Sequence, residues 1–234
     1  MTAKELLDAA KVSAASNVLA ARLRDHPADI ACRSSLFEML CFAGQFDRAE
    51  KHLNILAGGG KEAEMGAVLY HSALHAERTR HELFRKQDFP SSPVGPAPQG
   101  KLNGRQFNSI RDVDPVLGER LEVFAAGAYL WIPFEHIASV EMSAPQLLRD
   151  TLWVPAAILT GPSFKGTDIG QVLIPAIYPF SWKSDEEAIW LGRKTEWVED
   201  DEGHQFPVGQ KMFVVDGEEV PLLEIRSLEF NVSS

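Results

Sequence analysis

The first third of the chain places apolar residues at the spacing of amphipathic helices. One apolar face is followed, after a break at Gly44, by a second one. The first face consists of Leu36, Phe37, Leu40 and Cys41, and the second of Phe46, Ala49, Leu53 and Leu56. Because residues three or four positions apart share one side of a helix, this pattern predicts two helices joined by a short turn.

Similar stripes flank this pair, and together they predict five helices between residues 2 and 87. One stripe ends at His26-Pro27, and another begins after Gly58-Gly59-Gly60. The later stripe consists of Met65, Leu69, Ala73 and Ala76. Ala49 is small and lies between larger apolar residues, as in helical hairpins of the tetratricopeptide kind. We therefore predict a tetratricopeptide-like domain over residues 1–87.

Proline and glycine dominate the next segment, residues 88–104. The prolines are Pro90, Pro93, Pro96 and Pro98, and the glycines are Gly95, Gly100 and Gly104. Proline lacks a backbone donor and glycine weakens regular structure, so this composition predicts a linker without a helix or a central strand.

Beyond residue 104 the pattern becomes that of β-strands. The strand candidates are residues 120–124, 129–133, 137–142, 152–159, 171–178, 188–197, 211–215 and 220–225. Asp216-Gly217 predicts a hairpin between the last two, and Gly127 lies in a loop between the first two. We predict an α+β domain over residues 105–234, with a mainly antiparallel sheet that forms a partial barrel.

The charge is unevenly distributed. Residues 1–89 contain 12 basic and 12 acidic side chains, whereas residues 90–234 contain 11 and 21, which accounts for the net charge of -10. An acidic second unit argues against a nucleic-acid partner. The longest uncharged stretches, residues 151–164 and 169–182, have fourteen residues each, fewer than the roughly 20 that span a bilayer. Lys4, Glu5 and Asp8 interrupt any secretory signal, so we expect a soluble cytoplasmic protein.

Motifs that carry chemistry are incomplete in this sequence. Gly58-Gly59-Gly60-Lys61 resembles a phosphate loop, but Ile55 and Glu62 replace its first glycine and its Ser/Thr. His71 and His75 share a helix face without the glutamate of a zincin, and residues 199–202 lack the spacing of a calcium loop. Cys32 and Cys41 are too far apart on one helix for a disulfide. We predict no catalytic residues, no metal site and no cofactor.

Large aromatic side chains are concentrated in the second unit. They are Tyr129, Trp131, Phe134, Trp153, Tyr178, Trp182, Trp190 and Trp197. Such residues are enriched where proteins bind one another, and they are equally typical of a small β core. As a candidate protein-binding surface we select Trp131, Phe134, Trp153, Arg193 and Trp197.

Several runs of residues resemble the ImpE or TagJ proteins, accessory components of bacterial type VI secretion. The runs are Arg33-x-x-Leu36-Phe37-Glu38-x-Leu40-Cys41-Phe42-x-Gly44-x-Phe46-Asp47-Arg48-Ala49, Leu102-Asn103-Gly104-x-x-Phe107, Tyr129-x-Trp131-Ile132-Pro133-Phe134, Leu148-Arg149-Asp150-x-Leu152-Trp153-x-Pro155-Ala156, Pro175-x-x-Tyr178-Pro179, and Leu191-Gly192-Arg193-Lys194-Thr195-Glu196-Trp197 with Gly209-Gln210. They follow one another in order over nearly the whole chain.

This resemblance implies a non-enzymatic adaptor. Its expected partner is an N-terminal helix of the small sheath subunit TssB, with a link to sheath recycling by the AAA+ ATPase ClpV. An amphipathic helix of this kind docks in a preformed apolar groove. The chain departs from the family in one respect, because family members carry a further helical stretch before the Leu-Asn-Gly run.

A second hypothesis belongs to a different class. A hydrolase or a small-ligand-binding enzyme could use the Trp-rich sheet as a pocket, with Glu196 or Asp150 as an acid or base. A pocket that joins one of these carboxylates to Trp153 or Trp197 would favour it. A solid aromatic core at that place would argue against it.

Overall fold

The computed structural model describes residues 1–90, 95, 97, 99–166, 169–200 and 202–231. Pro93, Pro96 and Pro98 of the predicted linker lie outside these residues, as does Asp201 of the acidic run. The chain is α+β, with helices in its N-terminal part and a mostly antiparallel sheet in its C-terminal part.

The five predicted helices are present. They are α1 (Ala3–Asp8), α2 (Val12–Asp25), α3 (Ile30–Phe42), α4 (Phe46–Ala57) and α5 (Lys61–Lys86). Local signals set several ends: Thr2 and Glu5 form a capping box at α1, and Asp29 accepts from the Cys32 N–H at α3. Gly44 turns the chain between α3 and α4 with φ +66, where a Cβ would lie 2.4 Å from Trp182.

Within the described residues, the main sheet has eight strands. They are β1 (Gly100–Leu102), β2 (Arg105–Phe107), β4 (Arg120–Ala125), β5 (Ala128–Pro133), β6 (Ile137–Met142), β7 (Trp153–Thr160), β8 (Gly170–Pro175) and β13 (Ser227–Phe230). Their order is β2-β1-β13-β6-β7-β8-β4-β5, and all neighbouring pairs are antiparallel. The predicted hairpin through Gly127 joins β4 and β5. The partial barrel and the tetratricopeptide character of the helices stay predictions.

Two smaller sheets complete the fold. β3 (Ile110–Asp112) pairs with β11 (Met212–Val215), which pairs with β12 (Glu218–Pro221) through the predicted turn at Asp216-Gly217. β9 (Thr195–Glu199) and β10 (Gln205–Gly209) form a separate hairpin.

The structure corrects two local predictions. Residues 188–197 do not form one strand, because the short helix α6 (Glu187–Trp190) is followed by a turn at Gly192 (φ +63) before β9 begins. The predicted linker contains strand β1, which lies between β2 and β13. A Cβ at Gly100 would lie 1.9 Å from the Glu229 carbonyl oxygen, so the glycine permits the close pairing.

The helices and the sheet share one apolar core. The cluster that contains most buried residues of α2 to α5 also contains Phe124 of β4, Trp153 of β7 and Leu173 of β8. Cys32 and Cys41 are both on α3, are buried and have free thiols. The helical part is therefore packed on the sheet rather than held by a linker alone, and the boundaries at residues 87 and 105 stay predictions.

No helix in the described part of the chain combines the length and the apolar character needed to cross a lipid bilayer.

Candidate functional site

A buried arginine lies at the contact between α5 and the main sheet. Arg80 on α5 donates to Glu122 on β4 through two bonds, Nε to Oε1 at 2.7 Å and Nη2 to Oε2 at 3.0 Å. Its Nη1 donates to Glu77 at 3.0 Å and to the Ile177 carbonyl at 2.9 Å. Both Arg80 and Glu122 are 1% exposed. This bidentate pair fixes the orientation of α5 on the sheet.

A buried lysine extends this network. Lys211 Nζ lies 2.8 Å from Asp112 Oδ2 and also contacts the second oxygen of Glu122. The Tyr178 hydroxyl donates to Asp112 Oδ1 at 2.7 Å. We call Glu77, Arg80, Asp112, Glu122 and Lys211 the buried charge cluster. It joins α5 to β3, to β4 and to the residue directly before β11.

Aromatic side chains enclose the cluster. Trp153 Nε1 donates to Glu77 at 2.9 Å, and the Tyr129 hydroxyl donates to Glu122. Trp131 Nε1 donates in turn to the Tyr129 oxygen. The Trp153 bond satisfies Glu77 Oε2, and the Tyr129 bond adds a second donor to Glu122 Oε1, which also accepts from Arg80.

The electrostatics differ among the carboxylates of the cluster. Burial acts to raise the pKa of Glu122, but Arg80 and Lys211 outweigh it and lower that pKa to about 2. Burial raises the pKa of Glu77 despite Arg80, and it raises the pKa of Asp112 despite Lys211. Arg80 and Lys211 therefore stabilise the ionised form of Glu122 more strongly than the ionised form of Glu77 or Asp112 is stabilised.

The same contact region borders an open apolar cleft of about 630 Å³. The C-terminal end of α5 forms one wall with Phe84, and Phe89 follows it. Opposite lie Val116, Phe180, and Phe206 with Pro207 of β10. We call this the α5 cleft. Its volume is within the range of about 300–1,000 Å³ that is usual for ligand pockets.

Asp114 is the charged group at the inner wall of the α5 cleft. It is 3% exposed, and its Oδ1 accepts the Val116 N–H at 3.0 Å. Burial raises its pKa to about 6, although the Val116 bond opposes the shift. A carboxyl with this environment is typical of a binding or catalytic site.

The outer edge of the cleft carries both signs of charge. Lys183 lies over the Phe180 ring at 4.6 Å, and Arg85 is an exposed residue 3.9 Å from Glu82. His204 lies 3.2 Å from Asp200 across the β9–β10 turn. Arg85 and His204 each lie near a carboxylate, Lys183 lies over an aromatic ring, and Asp114 accepts a backbone N–H.

Comparison with known proteins identifies the family. The family profile described as "ImpE: ImpE protein" matches residues 104–229, just over half of the chain. The chain belongs to the ImpE family. Asp112, Asp114, Glu122 and Lys211 all lie inside the matched ImpE region. Arg80 and Glu77 lie before it.

Two further comparisons extend beyond the ImpE region. The chain is 30% identical to a protein named type VI secretion system accessory component TagJ from Pseudomonas aeruginosa, over 98% of this chain and 91% of that protein. It also resembles the crystal structure of protein VPA1032 from Vibrio parahaemolyticus, with a TM-score of 0.84 and 21% identity over 99% of this chain and 98% of that one. This second likeness supports the fold alone.

Two of the five residues selected from the sequence of this ImpE-family chain are core residues. Phe134 is fully buried and stacks on Phe230 at 5.3 Å. Trp153 is 1% exposed and stacks on Tyr70 at 6.1 Å. Their apolar rings fill the space between strands and helices, which corrects the prediction that all five share one surface.

The other three selected residues lie apart from one another. Trp131 is half-buried and packs behind Phe84 and Phe89 at 6.4 and 6.3 Å, so it supports the α5 cleft. Arg193 donates to the Asp8 carbonyl at 2.8 Å. Trp197 is exposed on β9. Whether these three bind a partner stays a prediction.

The carboxylates of the enzyme hypothesis have local roles. Glu196 pairs with Lys194 at the surface, and Asp150 accepts from the Gln146 and Leu147 N–H groups at 2.9 Å. Trp153 is part of a solid core, the arrangement that we expected to argue against this hypothesis.

The remaining motifs form local structure. Gly58 follows the end of α4, and Gly60 precedes α5 in an inter-helix turn. His71 lies 3.6 Å from Glu50, and the described residues contain no group of three or more potential metal ligands. Asp200 accepts from the Glu202 and His204 N–H groups, which closes the β9–β10 turn.

Sequence analysis missed both the buried charge cluster and the α5 cleft. A signal for the cluster was present: Glu122 interrupts an apolar strand between Leu121 and Val123, and Arg80 lies on the buried side of α5. A charge at a position that should be buried requires a partner. The partner itself could not be read from the sequence.

Proposed function

We propose that this chain is a non-enzymatic adaptor that acts as an accessory component of a type VI secretion system. One observation carries the proposal: the chain is 30% identical over 98% of its length to the TagJ protein, whose name states that role. The match includes the helical part as well as the ImpE region. We place this role in the cytoplasm.

The proposed partner is an N-terminal helix of the small sheath subunit TssB, and through it the ATPase ClpV. The fold supports a binding role because α5 is fixed to the sheet by the pair of Arg80 and Glu122. A rigid, preformed surface loses little entropy when a helix docks on it. We further propose that the tetratricopeptide-like packing of α3 and α4 contributes to this rigidity.

A small-ligand-binding enzyme is the second candidate, and the environment of Asp114 favours it. The raised pKa of a carboxyl in an apolar cleft suits a general acid or base. Within the described residues, however, no serine, threonine or cysteine lines this cleft to act as a nucleophile. Turnover of a small molecule that is lost in Asp114→Asn would favour the enzyme over the adaptor.

A calorimetric titration tests the adaptor proposal. The full chain is titrated with a peptide that contains the N-terminal helix of TssB from the same genome. We expect a dissociation constant below about 100 μM, which corresponds to roughly 5–6 kcal/mol of binding free energy. A scrambled peptide is the control, and absence of binding at this concentration would contradict the proposal.

A further inference from the structure

The α5 cleft has a chemical character that points to a particular kind of peptide. We propose that it binds an amphipathic peptide helix that directs one Lys or Arg side chain toward Asp114. This inference rests on the proposed function, because it names the place and the chemistry of partner binding. It differs from the surface that the sequence predicted, which was centred on tryptophans such as Trp197.

The walls of the cleft suit an apolar helix face. Phe84, Phe89 and Phe206 are half-buried, so each still exposes part of its ring. Trp131 packs behind Phe84 and Phe89 and holds them in place. Aromatic rings that are fixed from behind and open on one side are the usual anchors of a binding groove.

Asp114 supplies the polar specificity of the cleft. Its Oδ1 accepts the Val116 N–H at 3.0 Å, and the residue is 3% exposed at the lining of the cleft. The nearby cation Lys211 is bonded to Asp112 and Glu122. A carboxylate with so little access to water is costly, and an incoming ammonium or guanidinium group would stabilise it.

The charge around Asp114 favours a cation at this place. Toward the protein interior it faces Asp112, Glu122 and Lys211, two negative groups and one positive. Toward the opening the cleft is lined by Arg85 near Glu82, by Asp200 near His204, and by Lys183 over the Phe180 ring. Asp114 is the buried carboxylate of this lining, and we expect it to attract a basic side chain of a partner.

The first test compares variants of the full chain in titrations with the TssB peptide at about pH 7.5. We expect Asp114→Asn and Phe206→Ser each to weaken binding about tenfold or more, because one removes the charge and the other an apolar wall. The matched control is Trp197→Ser on the paired strand β9, for which we expect a change within about twofold. Thermal unfolding of each variant establishes that it is folded.

The second test changes the charge of Asp114 through the pH, and the charge of the peptide through substitution of its basic residues. With a pKa of about 6, Asp114 is mostly protonated at about pH 5 and ionised at about pH 7.5, so binding should strengthen as the pH rises. His204→Gln is the control, because it removes the histidine of the cleft lining and leaves Asp114 in place. A peptide with its Lys and Arg residues replaced by Gln should bind about tenfold more weakly and lose the pH dependence.

The outcomes separate this inference from the proposed function. If the wild-type chain does not bind the peptide, both are overturned. If it binds, but Asp114→Asn and Phe206→Ser retain the affinity, the cleft is the wrong place and the adaptor role stands. Binding lost only in Trp197→Ser would overturn the inference in favour of the surface predicted from the sequence.

Discussion

Each half of helix α5 contains side chains whose burial runs against their polarity. In its first half, Met65, Val68 and Leu69 are 75%, 62% and 48% exposed, although all three are apolar. In its second half, Glu77 and Arg80 are buried although both are charged. The stripe through Met65, Leu69, Ala73 and Ala76 predicted the helix correctly, but its first two residues are exposed rather than buried.

This contrast shows that the surroundings of a helix decide which of its residues are buried. The second half of α5 meets β4, where Glu122 offers a bidentate partner for Arg80. In the first half, Ala67 is buried and Tyr70 packs on Trp153 of β7, so the exposed apolar residues lie on another face of the helix. Hydrophobic spacing alone did not predict which face is buried. The buried charges fix one arrangement of helix and sheet, a role that registry-setting polar residues have in other proteins.

The largest expected effect comes from removal of one charge of the buried cluster. Arg80→Met should lower the free energy of unfolding by about 3–5 kcal/mol, because it leaves Glu122 buried with fewer partners. Urea unfolding followed by tryptophan fluorescence measures this change. Arg85→Met, which removes an exposed arginine of the same helix, is the control and should change stability by less than about 0.5 kcal/mol.

A double variant sharpens the same comparison. When Glu122→Leu is combined with Arg80→Met, neither charge of the pair remains buried, so the loss should be smaller than the sum of the two single losses. We expect a coupling energy of up to about 3 kcal/mol from the double-mutant cycle. Additive losses would show that Arg80 and Glu122 contribute independently.

A gain in stability is expected at the α5 cleft. Asp114 has a pKa of about 6 in the folded chain and a lower one when unfolded, so its ionisation removes stability as the pH rises from about 4 to 6. Asp114→Asn should raise the free energy of unfolding by about 2 kcal/mol at about pH 7.5, and by much less at about pH 4. Urea unfolding at the two pH values measures the difference.

Asp200, a carboxylate of the β9–β10 turn that also lines the α5 cleft, provides the control for the Asp114→Asn prediction. Asp200 accepts bonds from the Glu202 and His204 N–H groups, and these lower its pKa. Asp200→Asn should therefore leave stability unchanged or reduce it. A loss of stability in Asp114→Asn at about pH 7.5 would contradict the picture of a carboxylate that is strained by burial and retained for binding.

Sequence reasoning succeeded where the cause of a structure is local. The turn at Gly44 and the hairpin at Asp216-Gly217 depend on adjacent residues, and both are present. Lys211 and Asp112 are 99 positions apart, so only the folded chain brings them together. The α5 cleft likewise combines a helix end, two loops and the β9–β10 hairpin. Its residues carry no sequence signal of their meeting.

The smallest expected effect tests the exposed half of α5. Val68→Ser removes an apolar side chain that is already mostly in water, so it should change the free energy of unfolding by less than about 0.5 kcal/mol. Leu74→Ala, two turns further along the same helix and fully buried, should cost about 2–5 kcal/mol. Urea unfolding of both variants compares the two halves directly. A large loss in Val68→Ser would mean that an element covers this face in solution. The contrast between exposed apolar residues and buried charged residues in α5 would then no longer hold.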